Sequence, residues 1–208
     1  MQTFGFKRLL VGVFDEDGKK VKKKLTWEDE KGGTVNLNIS GLNPESVKFR
    51  ASNKTVWQKR QGTDEVKSDM DLFNVPTADL NTVLGRDVKG NTSWVGDDTR
   101  APYVAMIGVS ENPVTGEPIY CALTKGTLGL ESIEMKTTEE KIEAPEPLKL
   151  AGDWMGRTID GKSRTIGFHE GNEGADEFFK IVFEGLEEGS NEEGTEGEED
   201  TEGKGTPS

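Results

Sequence analysis

One cysteine and one histidine, Cys121 and His169, are the side chains best suited to nucleophilic chemistry in these 208 residues. As a dyad, the imidazole would take the thiol proton and leave a thiolate free to attack a carbonyl. Their neighbours read differently. Cys121 sits within the apolar run Ile119, Tyr120, Ala122 and Leu123, where a buried, inert thiol is the common case. His169 ends a strand-like stretch beside Glu170 and Gly171, which suits a structural or solvated imidazole. A single histidine and a single cysteine cannot build a histidine-rich zinc cluster within one chain. Adjacent carboxylates occur at Glu28-Asp29-Glu30 and Asp97-Asp98, but glycosidic chemistry needs two carboxyls facing each other across a cleft, so these read as solvated turns. Asp15-Glu16-Asp17-Gly18 opens like a calcium loop, yet Lys20 and Thr26 stand where its glycine and bidentate glutamate belong. Gly85 to Gly90 lacks the Lys-Ser/Thr pair that completes a phosphate loop. The residues therefore predict no catalytic group, no cofactor and no metal.

Charge narrows the partners. The chain carries −13 at neutral pH. From Glu184 to Ser208 there are ten acidic residues and one lysine, a net of −9, so the first 183 residues hold only −4. High-affinity nucleic-acid binding needs clustered lysine and arginine against phosphate, and this balance argues against it while allowing nucleic acid to pass nearby. The lone cysteine forms no intramolecular disulfide, the pattern of a reduced cytosolic folding environment. Lys7 and Arg8 precede only a short apolar stretch, Leu9 to Phe14, with Asp15, Glu16 and Asp17 following at once, which reads as a strand and not as a targeting segment. No apolar run approaches a membrane span, so a soluble chain made in the cytosol is expected. Beyond Glu187 the composition is Gly, Glu, Thr and Ser without a large apolar side chain, which predicts a folded domain over 1–185 and a disordered acidic tail over 186–208. Such a tail acts as a solubilising linker, or mimics nucleic acid and attracts basic partners.

The elements that would position these groups are mostly strands. Phe6 to Phe14 and the alternating Val21, Lys23, Leu25 and Trp27 flank Asp15-Glu16-Asp17-Gly18, whose Asp-Gly step favours a hairpin turn. Thr34 to Leu42 and Ser46 to Trp57 predict two further strands, separated by Asn43-Pro44. Pro76 to Leu84 predicts a helix, with proline in its first turn, a Leu80, Val83, Leu84 stripe and Gly85 as the stop. Gly90 to Ala101 reads as a loop. Pro102 to Ser110 and Ile119 to Leu130 read as strands, with a continuation through Ile133 and Met135. Ala144 to Pro147 is a connector. Leu148 to Thr158 and Ser163 to Phe168 predict a hairpin around Asp160-Gly161. Ala175 to Phe183 predicts a second helix, with Asp176 and Glu177 in its first turn and Phe178, Phe179, Val182 and Phe183 on one side. The total is about nine strands and two helices, a mainly β (α+β) chain.

Two segments stand out as surfaces. In Thr34 to Ser40, Val35, Leu37 and Ile39 alternate with Thr34, Asn36, Asn38 and Ser40, the pattern of a strand with one buried side. Its polar side carries no charge in a chain that is 31% charged. Two readings fit: a plain sandwich strand, or a face turned to another protein surface or a confined aqueous space. Asn53 to Asp71 is mostly polar, with Trp57 as a large isolated aromatic amid Lys59, Arg60, Asp64 and Glu65, and reads as a projecting hairpin. It serves either as a contact arm or as a surface hairpin without a partner.

An ordered series of short segments then carries a resemblance. It comprises Gly5-Phe6-Lys7-Arg8-Leu9; Trp27-Glu28-Asp29-Glu30-Lys31-Gly32-Gly33-Thr34-Val35-Asn36-Leu37-Asn38-Ile39; and Ala51-Ser52-Asn53-Lys54. It continues through Asp71-Leu72-Phe73, Asp79-Leu80, Leu84-Gly85-Arg86, Ala101-Pro102-Tyr103-Val104-Ala105 and Gly167-Phe168-His169-Glu170-Gly171. In that order, across roughly residues 5 to 183, the chain resembles the major tail proteins of long-tailed phages of Gram-positive bacteria. The resemblance implies two packed β-sheets with a flanking short helix. It implies six copies in a ring, and rings stacked into a hollow tube through which the genome moves. The implied partners are further copies of the chain, with the tape measure, tail terminator and distal tail proteins. DNA would pass without specific binding, with no membrane partner, in a phage tail. Neither catalytic residue nor cofactor comes with it. Some relatives carry an added immunoglobulin-like domain at the C-terminal end, which the acidic tail would resemble as a linker. On that reading Trp57, Lys59, Arg60, Asp64 and Glu65 are the expected stacking or inter-subunit contacts. Thr34, Asn36, Asn38 and Ser40 are the expected channel or seam face. Gln2 to Phe4 and Ala144 to Pro147 are weaker candidate arms. The rival reading is a monomeric β-sandwich binding module for a surface or a carbohydrate, with an enzyme a distant third.

Overall fold

The computed structural model describes residues 2–135, 137 and 144–186, so the tail beyond Leu186 lies outside the described residues. Fourteen strands and two helices occur among them. Eight strands make one sheet: β1 (Phe4–Phe14), β2 (Val21–Trp27), β3 (Gly33–Ser40), β6 (Val66–Phe73), β9 (Val104–Glu111), β10 (Pro118–Leu130), β11 (Leu148–Trp154) and β14 (Ile166–Glu170). Their order is β2-β1-β9-β10-β11-β6-β3, all antiparallel, with β14 alongside β10.

This sheet folds over on itself because β10 turns a corner. The first half of β10 pairs with β9 and β14; a register shift between Leu123 and Gly126 follows, and the second half pairs with β11. Strands commonly change layers through such a bulge. Gly126 fits the corner because a Cβ there would lie 2.4 Å from the Asp153 carbonyl and 2.6 Å from the Trp154 ring. The two β layers expected from the resemblance are thus the two halves of one folded sheet. Between them lies the main core, with Leu9, Val11, Trp27, Met106 and Leu123 from one layer meeting Met70, Leu72, Leu128 and Leu150 from the other. Each such side chain, fully buried, contributes about 1.5–3 kcal/mol. Helix α1 (Thr77–Leu84) adds Val83 and Leu84 to this core, and Asp79 accepts the Trp27 Nε1 proton at 2.9 Å. Gly85, left-handed at φ 63°, ends α1 as expected.

A second core lies outside the β2-β1-β9-β10 layer. There Leu10, Phe14, Ile107, Val109 and Tyr120 pack under α2 (Ala175–Val182), through Val182, Phe183, Phe178 and Phe179. The α2 stripe predicted from its 3.6-residue period is the covering face. Arg157 donates to the Ile181 carbonyl near the end of α2, and Val21 N donates to the Glu184 carbonyl at 2.9 Å, fastening the helix to the edge of β2.

Several expected boundaries move. Ser46 to Trp57 is not one strand but a hairpin, β4 (Val47–Ala51) and β5 (Lys54–Lys59), because Ser52 and Asn53 adopt positive φ and reverse the chain. The projection is therefore 47–59 rather than Asn53 to Asp71, and 66–73 is the core strand β6. The loop expected at Gly90 to Ala101 begins with the hairpin β7 (Asp87–Lys89) and β8 (Thr92–Trp94). Ile133 and Met135 are exposed and form no strand. The turn at Asp160-Gly161 joins β12 (Arg157–Ile159) to β13 (Lys162–Arg164). The flanking β11 and β14 pair with β10 instead of with each other.

Candidate assembly surfaces

The two groups able to form a dyad end up on opposite sides of the sheet. On β14, His169 stands opposite Tyr120 and Phe168 opposite Cys121. His169 therefore faces α2, stacked on Phe178 with ring centroids 5.5 Å apart, while Cys121 faces the other way. Burial pushes the Cys121 thiol up to about 12, far from the thiolate that nucleophilic chemistry requires. The Asp15 carboxylate accepts Lys19 N at 2.8 Å, so it closes its own turn.

Strand β3 is an edge strand with a bulge. Its pairing with β6 skips Val35, between Thr34↔Leu72 and Asn36↔Asp71. The bulge shifts the alternation by one residue. Val35 is consequently exposed, whereas Leu37 and Ile39 pack inward as expected. Thr34 turns inward too, donating its hydroxyl to the Phe6 carbonyl and tying β3 to β1. It does not share the face of Asn36, Asn38 and Ser40. Those three point outward, opposite Asp71, Asp69 and Lys67 on β6. Behind them on β11 come Lys149, Ala151 and Asp153, and then Thr127 and Gly129 on β10. Pairing thus assembles a four-stranded outer face bearing three aspartates and two lysines, with Phe73, exposed at the end of β6, as a large apolar side chain at its border. Sequence reading missed Asp69, Asp71 and Asp153, because only the register places them beside the asparagines.

The second surface is the β4–β5 hairpin, exposed along its whole length. Phe49 pairs across from Trp57 and Val47 from Lys59, making one apolar strip. Phe49 is 62% exposed and Trp57 50%. Trp57 and Lys59 lie on the hairpin itself. Arg60, Asp64 and Glu65 sit at its root, where Arg60 Nη1 donates to Asn43 Oδ1 at 2.6 Å and Asp64 N donates to the Gly41 carbonyl at 2.9 Å. Gly41, at φ 77°, permits this approach, since a Cβ would stand 1.9 Å from the Glu65 carbonyl oxygen. Between Val47 and Arg60 the chain carries Lys48, Arg50, Lys54, Lys59 and Arg60 and no acidic residue, a net of +5. A protein of net charge −13 thus holds out a basic, apolar arm.

An exposed apolar strip of this kind marks an interaction surface. A family model described as phage tail tube protein matches residues 1–187. The chain belongs to this family. No curated protein matches it significantly. As a tail tube protein it is a structural component of the virion tail, built to associate with itself into a tube and to meet other tail components. The mostly β architecture is the one the resemblance implied. Among the described residues, no helix of this tail tube protein is long and apolar enough to cross a membrane.

Proposed function

We propose that this tail tube protein closes into rings of six, that the rings stack into a hollow tube, and that the tube conducts the genome into the host. The observation that carries this reading is the outer face of β3, β6, β11 and the second half of β10, with Asn36, Asn38, Ser40, Asp69, Asp71 and Asp153. A channel wall must not hold DNA. Short amides and hydroxyls with a slight excess of aspartate repel phosphate and leave its counterions in place, so passage meets little friction. Strands β3 and β2 end the main strand order, while β14 beside β10 also keeps an unpaired edge among the described residues, and ring closure would cover such edges between neighbours. The lysines of β2 (Lys22, Lys23, Lys24) discourage pairing there, so β3 is the edge that joins the seam.

The β4–β5 hairpin is the stacking arm, with Trp57 as anchor and Lys59, Arg60, Asp64 and Glu65 setting register. Permanent contacts of this kind bury about 2,000 Å² or more. Residues 1–185 form the tube unit. The tape measure, tail terminator and distal tail proteins are the expected further partners.

The test is the double variant Asn36→Lys/Asn38→Lys. Folding of the protomer is unchanged by circular dichroism, while tube assembly or genome delivery drops; normal infectivity would overturn the channel assignment. Negative-stain microscopy of the purified chain separates this reading from a monomeric binding module: rings or tubes support it, and uniform small particles at high concentration support the module.

A further inference from the structure

If the β4–β5 hairpin is an arm, it needs a landing site, and we infer that it lands in an apolar groove on the next copy of the chain. The groove holds about 450 Å³ and opens between β3 and β14, where the two layers of the folded sheet diverge. Ile119 and Cys121 form its floor, Phe6 and Leu37 close over Gly108, and Val35 and Phe168 stand at its sides. Thr3, Asn36 and Ser110 are the polar side chains among its lining residues, and none of the lining residues is charged. Val35 is 58% exposed and Phe168 50%, so both sides are left to water in the single copy. The arm of the same chain does not fill the groove: Val47, Phe49 and Trp57 are exposed, and none of them lines it.

Charge selects the occupant. On β14, Ile166, Phe168 and Glu170 share the groove side, and Glu170 stands opposite Ile119. Glu170 Oε1 accepts a hydrogen bond from Asn112 Nδ2 at 2.7 Å, and no lysine or arginine pairs with it among the described residues. Glu117 lies at the same end, one residue before Pro118. The groove is therefore mainly apolar, with Glu117 and Glu170 forming an acidic mouth beside Ile119 at one end, and the arm is an apolar strip with five basic side chains. The acidic tail would be repelled at that mouth, whereas Lys59 and Arg60 at the base of the strip would be drawn to it. Groove and arm are different surfaces carried by every copy, so each contact leaves one of each unused. A heterologous contact of this type propagates, as stacking requires.

The proposal rests on the arm reading, and the experiment separates the two. In the full chain with Cys121→Ser, the pair Trp57→Cys and Phe168→Cys is oxidised in assembled tubes. A ladder of covalent multimers on a non-reducing gel is expected, with none from either single-cysteine chain. Because Trp57→Cys removes an anchor, a charge series runs beside it. Lys59→Glu/Arg60→Glu should lower polymer yield by about tenfold, and adding Glu117→Lys/Glu170→Lys to the same chain should restore it. Loss on reversal without rescue, and without the Phe168 cross-link, overturns the groove and leaves the arm standing. Normal tubes from a chain lacking 47–59 overturn both. A cross-link from Phe168 to any other segment, the acidic tail included, also overturns the groove assignment.

Discussion

On the outer side of β1, β9 and β10, the side chains Leu10, Ile107, Val109 and Tyr120 lie under α2. On the outer side of β3, β6 and β11, Asn36, Asn38, Asp69 and Ala151 lie under no element among the described residues. Both halves share one inner core, so the difference lies in what each turns away from it. Where outward positions are apolar, the chain returns 45 positions after the end of β10, from Leu130 to Ala175, with a helix to cover them. Where they are mainly polar, the face is stable in water and available to line a channel. The same fold therefore yields one face that serves stability and one that is free to serve function.

Substitutions on the covered face should unfold the protein, and those on the bare face should not. The largest expected effect is at Phe183, 4% exposed in the α2 core. Phe183→Ala should cost about 3–5 kcal/mol in urea denaturation, whereas Asn38→Ala should stay within about 0.5 kcal/mol. An equal loss at both sites would break the comparison. The inner side of the bare half is tested next. Ser68, 1% exposed, accepts the Trp154 indole N–H at 2.8 Å. Ser68→Val should strand that donor at about 1–3 kcal/mol, measured by tryptophan fluorescence during unfolding.

Smaller effects sharpen the picture. With its thiol pushed up to about 12, Cys121 is thiolate only to roughly one part in ten thousand at pH 8, so alkylation should be slow in the folded chain and fast in denaturant. Equal rates would remove Cys121 from the half-buried groove floor. The smallest effect concerns the β1–β2 turn, where the Lys19 amide hydrogen bond holds Asp15 below its ordinary 3.8. A depressed carboxylate contributes stability above pH 3.8 that is lost as pH falls through the folded value. The melting difference between the native chain and Asp15→Ala should therefore be present at pH 6 and shrink below pH 3.8. A difference constant with pH would remove that turn contribution.

Much of this was legible beforehand. The Asp-Gly turn between β1 and β2, the Gly85 stop of α1 and the phenylalanine stripe of α2 are local signals, and each element lies where its signal put it. Where the reading failed, the irregularity was invisible in the local pattern. Alternation marks the two sides of a strand and not what covers either, so nothing in it showed that Val47, Phe49 and Ala51 would be exposed. The Ser52-Asn53 reversal hid inside an apparently continuous strand. Thr34 joined the wrong face because the bulge at Val35 exists only through pairing with β6. Of the expected contact residues, Trp57 and Lys59 fall on the hairpin and Arg60, Asp64 and Glu65 at its root; Phe49 and the other basic residues of the hairpin join them in the proposed contact.

By itself the sequence determined that this chain is mainly β, that its charge is concentrated at one end, and that its ordered motifs resemble phage tail proteins. These follow from side-chain period, turn chemistry and composition, which act over a few residues or over the chain as a sum. Only the tertiary structure decided which strands are neighbours, which face α2 covers, that His169 and Cys121 look in opposite directions, and that a groove with an acidic mouth lies open. Those depend on pairing between segments far apart in the chain, where a single bulged residue reverses every side chain beyond it.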